Sequence, residues 1–399
     1  MSEQRHVGMV SEALKAAKYA GARLLRFFVM RRYASFESDK RLVLLESFLG
    51  TRLDCNPKAI YDYLRERFPG YFHFIWVAED PEEWKELAAH ADTQVVSYRS
   101  TEHWKYACTA GVLVTNSPRS NEMPARCEQL QIQTWHGGGC YKKVGIALHD
   151  KMPITRFMTE RQFSRYNYFI SSSSFFSNEV IRKQYAFQGD ILECGMPRND
   201  RLVWNRTEER NDVRRVLGLS DDEFFVLFVP TWRDFGGDIP QLDIRAVKRA
   251  FVSRFGKKPL VGKRGHYFSG SLSGDFDASY DDFHDMQGLL LAADAVITDY
   301  SSVIWDYSFT YRPCFLFTPD LSRYEKDRGF DIDIREWGFP VCEDTDALVS
   351  AIESFDPQAH EAAMIRHHER IGSFEDGHAC ETVARVIADH CGIGGKKVD

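Results

Sequence analysis

The run Trp135-His136-Gly137-Gly138-Gly139-Cys140-Tyr141-Lys142-Lys143 sets an imidazole, three glycines and two lysines directly after the β-rich segment Leu130-Gln131-Ile132-Gln133-Thr134. A histidine where a strand ends can act as a base; glycines behind it let a substrate approach the backbone, and lysines supply fixed charge for a phosphate. Such a pattern suits transfer of an anionic group. The same residues would also serve as a structural histidine in a tight turn.

A second constellation lies far downstream. Ala292-Ala293-Asp294-Ala295-Val296-Ile297-Thr298 reads as a helix end running into a buried strand, followed by Asp299-Tyr300-Ser301-Ser302 and a helical Val303-Ile304-Trp305-Asp306-Tyr307. Ser301 and Ser302 then sit at a helix start, where unpaired N–H groups and two hydroxyls form a phosphate seat, or where Asp299 and the serines act only as caps. Pro230-Thr231-Trp232-Arg233 follows the apolar strand 224–229, and Lys263-Arg264-Gly265-His266 follows another probable strand. Cationic and hydroxyl clusters after strands converge on the carboxyl edge of an open sheet.

The elements that would position these groups alternate. Strands are predicted over 42–46, 74–78, 94–97, 112–115, 132–135, 168–171, 190–194, 224–229, 259–262, 295–298 and 314–317, with helices over 57–68, 81–90, 177–185 and 207–217 between them. This is the βαβ rhythm of parallel sheets. The chain has 399 residues, 44% of them hydrophobic and 14% aromatic, enough for two cores. Gly195-Met196-Pro197-Arg198-Asn199 ends one alternating series. The nine cysteines form no Cys-x-x-Cys pair and no zinc-spaced set, which points to a reducing compartment and no structural metal.

Net charge is −7, which argues against a nucleic-acid partner. From Ala13 to Phe36 the only charges are Lys15, Lys18, Arg23, Arg26, Arg31 and Arg32, while Leu14, Ala17, Gly21, Leu24, Leu25 and Phe28 recur at helical spacing. The segment reads as a basic amphipathic helix lying on an anionic membrane, or as a helix packing its apolar side on the first domain. No secretory leader and no apolar run of the roughly 20 residues that spans a bilayer is apparent, so a soluble or surface-bound chain is expected.

A family resemblance runs in order along the chain. It begins with Leu44-Leu45-Glu46-Ser47-Phe48, Asn56-Pro57-Lys58-Ala59-Ile60-Tyr61, Phe74-Ile75-Trp76-Val77 and Gln133-Thr134-Trp135-His136-Gly137. It continues through Gly195-Met196-Pro197-Arg198-Asn199-Asp200, Pro230-Thr231-Trp232-Arg233, Thr298-Asp299-Tyr300-Ser301-Ser302, Arg312-Pro313 and Tyr324-Glu325-Lys326-Asp327-Arg328-Gly329. On these motifs the chain resembles the CDP-glycerol glycerophosphotransferase family, peripheral membrane enzymes that prime or polymerise teichoic acids. The resemblance implies an α/β fold of glycosyltransferase-B architecture, two Rossmann-like domains facing across a cleft. The expected organisation is a membrane-associating segment 1–36, an acceptor domain 37–200, a CDP-donor domain 201–375, and a C-terminal helix and tail 376–399.

The resemblance further implies transfer of glycerol phosphate from CDP-glycerol, or of ribitol phosphate from CDP-ribitol, to a hydroxyl of a lipid-linked glycan or polyol-phosphate polymer. CMP leaves, no cofactor or metal takes part, and the work is done at the cytoplasmic face of the bacterial membrane. His136 is the expected base and His266 a second catalytic histidine. Arg233, Lys263, Asp299, Ser301, Ser302 and Arg328 are expected at the donor, and Gly137, Lys142 and Lys143 at the acceptor. Many members continue from His-Gly with Thr-Pro-Leu-Lys where this chain has Gly138-Gly139-Cys140-Tyr141-Lys142-Lys143, which leaves the acceptor and the polyol open. A glycosyltransferase of the same fold, using a nucleotide sugar, is the alternative.

Overall fold

The computed structural model describes residues 2–139, 141–148, 153–231, 241–265 and 274–393, with side chains in the first helix from Leu14 onward. Two compact units emerge: Met1–His136 with Val144–Arg198 and Phe374–Asp399, and Asn199–Ser373 with the short segment Gly137–Lys143.

The first unit holds seven strands: β1 (Asp39–Glu46), β2 (His73–Ala78), β3 (Thr93–Ser97), β4 (Ala110–Thr115), β5 (Leu130–Gln133), β6 (Tyr168–Ser171) and β7 (Asp190–Glu193). All pair in parallel in the order β3-β2-β1-β4-β5-β6-β7. Runs such as Val43-Leu44-Leu45 and Val112-Leu113-Val114 are buried on both faces, as a helix-covered parallel sheet demands. Strand order reverses between β1 and β4, and such a switch point opens a crevice at the carboxyl ends. Those ends here are Glu46-Ser47 and Thr115-Asn116.

The second unit repeats the plan with β8 (Glu223–Val229), β9 (Lys258–Lys263), β10 (Ala278–Ser279), β11 (Ala295–Thr298), β12 (Cys314–Phe317) and β13 (Val341–Cys342), in the parallel order β10-β9-β8-β11-β12-β13. Its core joins Phe224, Val226 and Phe228 of β8 to Val247 and Phe251 of the helix Ile244–Phe255. The switch point lies between β8 and β11, at Pro230-Thr231 and Asp299.

Three local readings change. The helix expected over 81–90 is a short turn, Pro81–Trp84, followed by Lys85–Ala88. The segment Phe176–Gln184 is wound more loosely than an α-helix, with the Tyr185 N–H bonded five residues back to Val180 at 3.0 Å. The edge strands β10 and β13 are two residues long, too short to show a period.

Helix α1 (Ser2–Arg32) presents the opposite side from a core helix. Toward its own unit go Lys15, whose Nζ donates to Thr155 Oγ1 at 3.1 Å, Tyr19 against Phe157, and Arg26, whose Nη2 donates to the Ala125 carbonyl at 3.4 Å. The apolar stripe faces away: Leu14, Leu24, Leu25 and Phe28 are exposed, Leu24 and Phe28 each by 58%. The stripe is therefore not the packing face of this helix. Among the described residues no helix is long and apolar enough to cross a membrane. The closing helix Ala379–Cys391 belongs to the first unit, where Cys380 Sγ approaches the Pro197 carbonyl at 3.3 Å.

Candidate active site

In the first unit the site is built on the turn after β5. Trp135 takes φ +54°, a left-handed conformation that costs a bulky residue roughly 1–2 kcal/mol. Side chains hold it there. Gln133 Oε1 accepts from the Trp135 N–H at 2.9 Å, and buried Asn56 Nδ2 donates to the carbonyls of Thr134 at 3.2 Å and Trp135 at 2.9 Å. Arg198 Nη1 donates to the His136 carbonyl at 2.9 Å, which gives the Pro197-Arg198-Asn199 motif a task in the same turn.

The His136 ring is fixed on three sides. Trp135 stacks on it at 4.5 Å, Phe48 lies tilted at 5.2 Å, and Nδ1 is 2.8 Å from the Asn116 carbonyl. A carbonyl only accepts, so Nδ1 carries the proton and the lone pair resides on Nε2. Asn116 is itself held: Oδ1 accepts from the Phe48 N–H at 2.7 Å and Nδ2 donates to Ser47 Oγ at 2.9 Å. The ends of β1, β4 and β5 thus combine to orient one imidazole. Sequence reasoning missed Asn116, Asn56 and Arg198 as orienting groups; the signal was their place after strands and in the resemblance motifs.

In the second unit Asp299 ties the ends of β8 and β11 together. Its carboxylate accepts from Thr231 N–H at 2.9 and 3.0 Å, from Thr231 Oγ1 at 2.5 Å and from Tyr300 N–H at 2.6 Å. Ser301 and Ser302 follow, ahead of the six-residue helix Val303–Ser308, and Ser301 Oγ accepts from Val303 N–H at 3.3 Å. Lys263 ends β9, with Nζ 3.9 Å from Asp281. Arg233 and His266 lie outside the described residues.

Lys142 and Lys143 meet Gly329 and Phe330, the residues directly after Arg328, across a long stretch of sequence. Lys143 N–H donates to the Gly329 carbonyl at 3.4 Å, Lys142 pairs with Phe330 in an antiparallel bridge, and Asp331 N–H donates to the Tyr141 carbonyl at 2.6 Å. Tyr141 anchors this segment. It is buried with edge-on contacts to Trp305 at 4.6 Å and Trp337 at 5.5 Å, and its hydroxyl is 2.6 Å from His367 Nε2. Burial above all pushes the His367 pKa down to about 3, so the imidazole is neutral and accepts from Tyr141, whose own pKa burial pushes up. Gly139 is required by space, since a Cβ there would fall 2.0 Å from Trp305 Cγ. Gly137 opens the same segment, directly after His136.

Two parallel Rossmann-type sheets, each with polar side chains at the crevice of its switch point, define the class: an α/β protein of the doubly wound kind, whose ligands bind at the carboxyl ends of the strands. Within that class the assignment is narrower. Residues 27–389 match the CDP-glycerol:poly(glycerophosphate) glycerophosphotransferase family, and the chain belongs to it. It is 29% identical over 359 residues to the teichoic acid poly(glycerol phosphate) polymerase of Bacillus spizizenii, covering 85% of this chain and 88% of that one. It is also 29% identical over 290 residues to a teichoic acid ribitol-phosphate primase of the same species, covering 67% of this chain and 71% of the other. Two longer polymerases are spanned over only 50% and 48% of their length. Among solved structures, the wall teichoic acid polymerase TagF superposes with a TM-score of 0.80 at 25% identity, covering 97% of this chain and 99% of that one.

Proposed function

We propose that this protein transfers glycerol phosphate, or a related polyol phosphate, from a CDP-polyol to a hydroxyl of a membrane-linked glycan or teichoic-acid-type acceptor, with His136 as general base. The observation that carries the reading is the 2.8 Å contact from His136 Nδ1 to the Asn116 carbonyl, because it leaves the basic lone pair on Nε2. The acceptor oxygen attacks the outer phosphorus and its proton passes to Nε2. As the new P–O bond forms, the bond to CMP breaks and its electron pair leaves with CMP. The negative charge gathering on the phosphates is balanced by Lys263, Arg328 and the Ser301-Ser302 turn, with Arg233 and His266 in the same role. Asp299 keeps that turn in register. Lys142 and Lys143 bind phosphates of the acceptor. Glycerol-phosphate and ribitol-phosphate enzymes both stand among the relatives, so the polyol is a question for the assay.

The outward apolar stripe of α1, bordered by Lys18, Arg23, Arg31 and Arg32, supports docking at the cytoplasmic face of the membrane, where the acceptor resides. Incubation with CDP-glycerol or CDP-ribitol and a panel of lipid-linked acceptors tests the reading. CMP and a polyol-phosphate product are expected. Release of a nucleoside diphosphate from a nucleotide sugar, with CDP-polyols inert, would instead support the glycosyltransferase alternative.

A further inference from the structure

The loop 117–126 of the first unit collects more positive charge than the transfer reaction uses. Three guanidinium groups meet three consecutive carbonyls there. Arg165 Nη2 donates to Met123, Arg119 Nη1 to Pro124 at 3.2 Å, and Arg26 Nη2 of α1 to Ala125 at 3.4 Å. Consecutive residues are about 3.8 Å apart, so the three cations share a small volume. Arg119 is only 1% exposed, and its Nε and Nη2, like the Nε of Arg165, have no hydrogen-bond partner among the described residues.

The nearby acids offset the set only in part. Glu46, a single buried carboxylate 3.4 Å from His103 Nε2, attracts both Arg119 and Arg165, and Glu122 is paired with Arg99, so one carboxylate stands against three guanidinium groups. Burial first, and then repulsion from Arg119, lowers the pKa of Arg26 and takes that of Arg165 to about 9. Like charges held together with idle donors are unfavourable unless an anion completes them, and a guanidinium fork matches phosphate oxygens. Arg26 and Arg165 are half-buried, while the idle donors of Arg119 and Arg165 lie beneath them, enclosed.

We propose that Arg26, Arg119 and Arg165 form a phosphate-ester site in the first unit, separate from the residues that hold the donor. Its ligand is either the headgroup of an anionic phospholipid or a soluble polyol phosphate. Leu24, Leu25 and Phe28 lie within one turn of Arg26 along α1 but on its outward face, so a headgroup would reach the Arg26 side only at the flank of a docked helix.

Inorganic phosphate is titrated into the full-length protein at constant ionic strength, with chloride as the balance, while the thermal midpoint is followed. The expected result is a saturable rise with phosphate. Arg119→Met and the gentler Arg26→Gln should each weaken the apparent affinity at least tenfold, whereas Ser301→Ala/Ser302→Ala should keep the rise. Vesicles of phosphatidylglycerol and of phosphatidylcholine then separate the sources. A headgroup ligand predicts that Arg26→Gln loses more phosphatidylglycerol binding than Arg23→Gln and that phosphate competes. Equal losses with the phosphate response intact assign the soluble ligand. No saturable response in the wild type, or one unchanged in both arginine variants, would overturn the site.

Discussion

At the scale of single residues, one hydrogen bond decides which nitrogen of His136 is basic, and Asn116 holds that bond in place. Asn116 touches the imidazole only through its carbonyl, so its side chain acts by fixing the loop. Asn116→Ala should lower kcat by roughly tenfold or more with little change in CDP-glycerol affinity, because misorientation affects the transition state more than donor binding. Steady-state kinetics beside a donor titration would show it; an equal loss in both would place Asn116 in the fold alone. Tyr141→Phe removes the hydroxyl that bonds His367 and should cost about 1–2 kcal/mol in urea unfolding, since a buried acceptor loses its donor. A loss near zero would mean that the aromatic contacts alone anchor the segment.

At the scale of elements, α1 and the helix Pro357–Ile371 each carry a test. Leu24→Ser/Leu25→Ser/Phe28→Ser changes only exposed side chains, so the thermal midpoint should stay within about 2 °C while sedimentation with anionic liposomes is largely lost. Undiminished sedimentation would put the membrane contact elsewhere. On Pro357–Ile371, burial foremost pushes His367 down to about 3 and His368 to about 4. An unfolded histidine takes up its proton near pH 6.5, so below that value the unfolded chain binds more protons and stability falls with pH until the folded pKa is passed. Unfolding free energy should therefore drop between about pH 6.5 and 4, and His368→Gln should flatten the slope. An unaltered slope would assign the acid sensitivity to other groups. Much of this level was legible in the chain. The run of Val and Leu in β1 and β4 and the apolar stripe of α1 both carry their period openly. What the period did not say is which face of α1 meets the protein: that was decided by Lys15, Tyr19 and Arg26 finding partners, a tertiary fact.

At the scale of the whole molecule, alternation of strands and helices was enough to read two parallel α/β series, and the His-Gly and Asp-Tyr-Ser-Ser motifs were found because they follow segments that read as strands. Tyr141 was not found. Its partners Trp305, Trp337 and His367 are 164 to 226 residues away, and nothing local distinguishes a tyrosine between glycines and lysines. Asn116 was missed for a related reason, since Asn116-Ser117-Pro118 reads as an ordinary turn and its carbonyl matters only once β4 and β5 pair. The short strands β10 and β13 escaped because two residues hold no pattern. Such omissions share a cause: each depends on contacts made between distant segments.

The central claim is that His136 removes the acceptor proton through Nε2. It is tested most directly by comparing wild type and His136→Ala in turnover of CDP-glycerol with a lipid-linked acceptor, alongside direct titration of the donor. The account predicts a fall in turnover of roughly 10² or more, with CMP production lost in parallel and the donor dissociation constant held within about twofold. Turnover that survives the substitution, or donor affinity that falls as far as turnover, would contradict it.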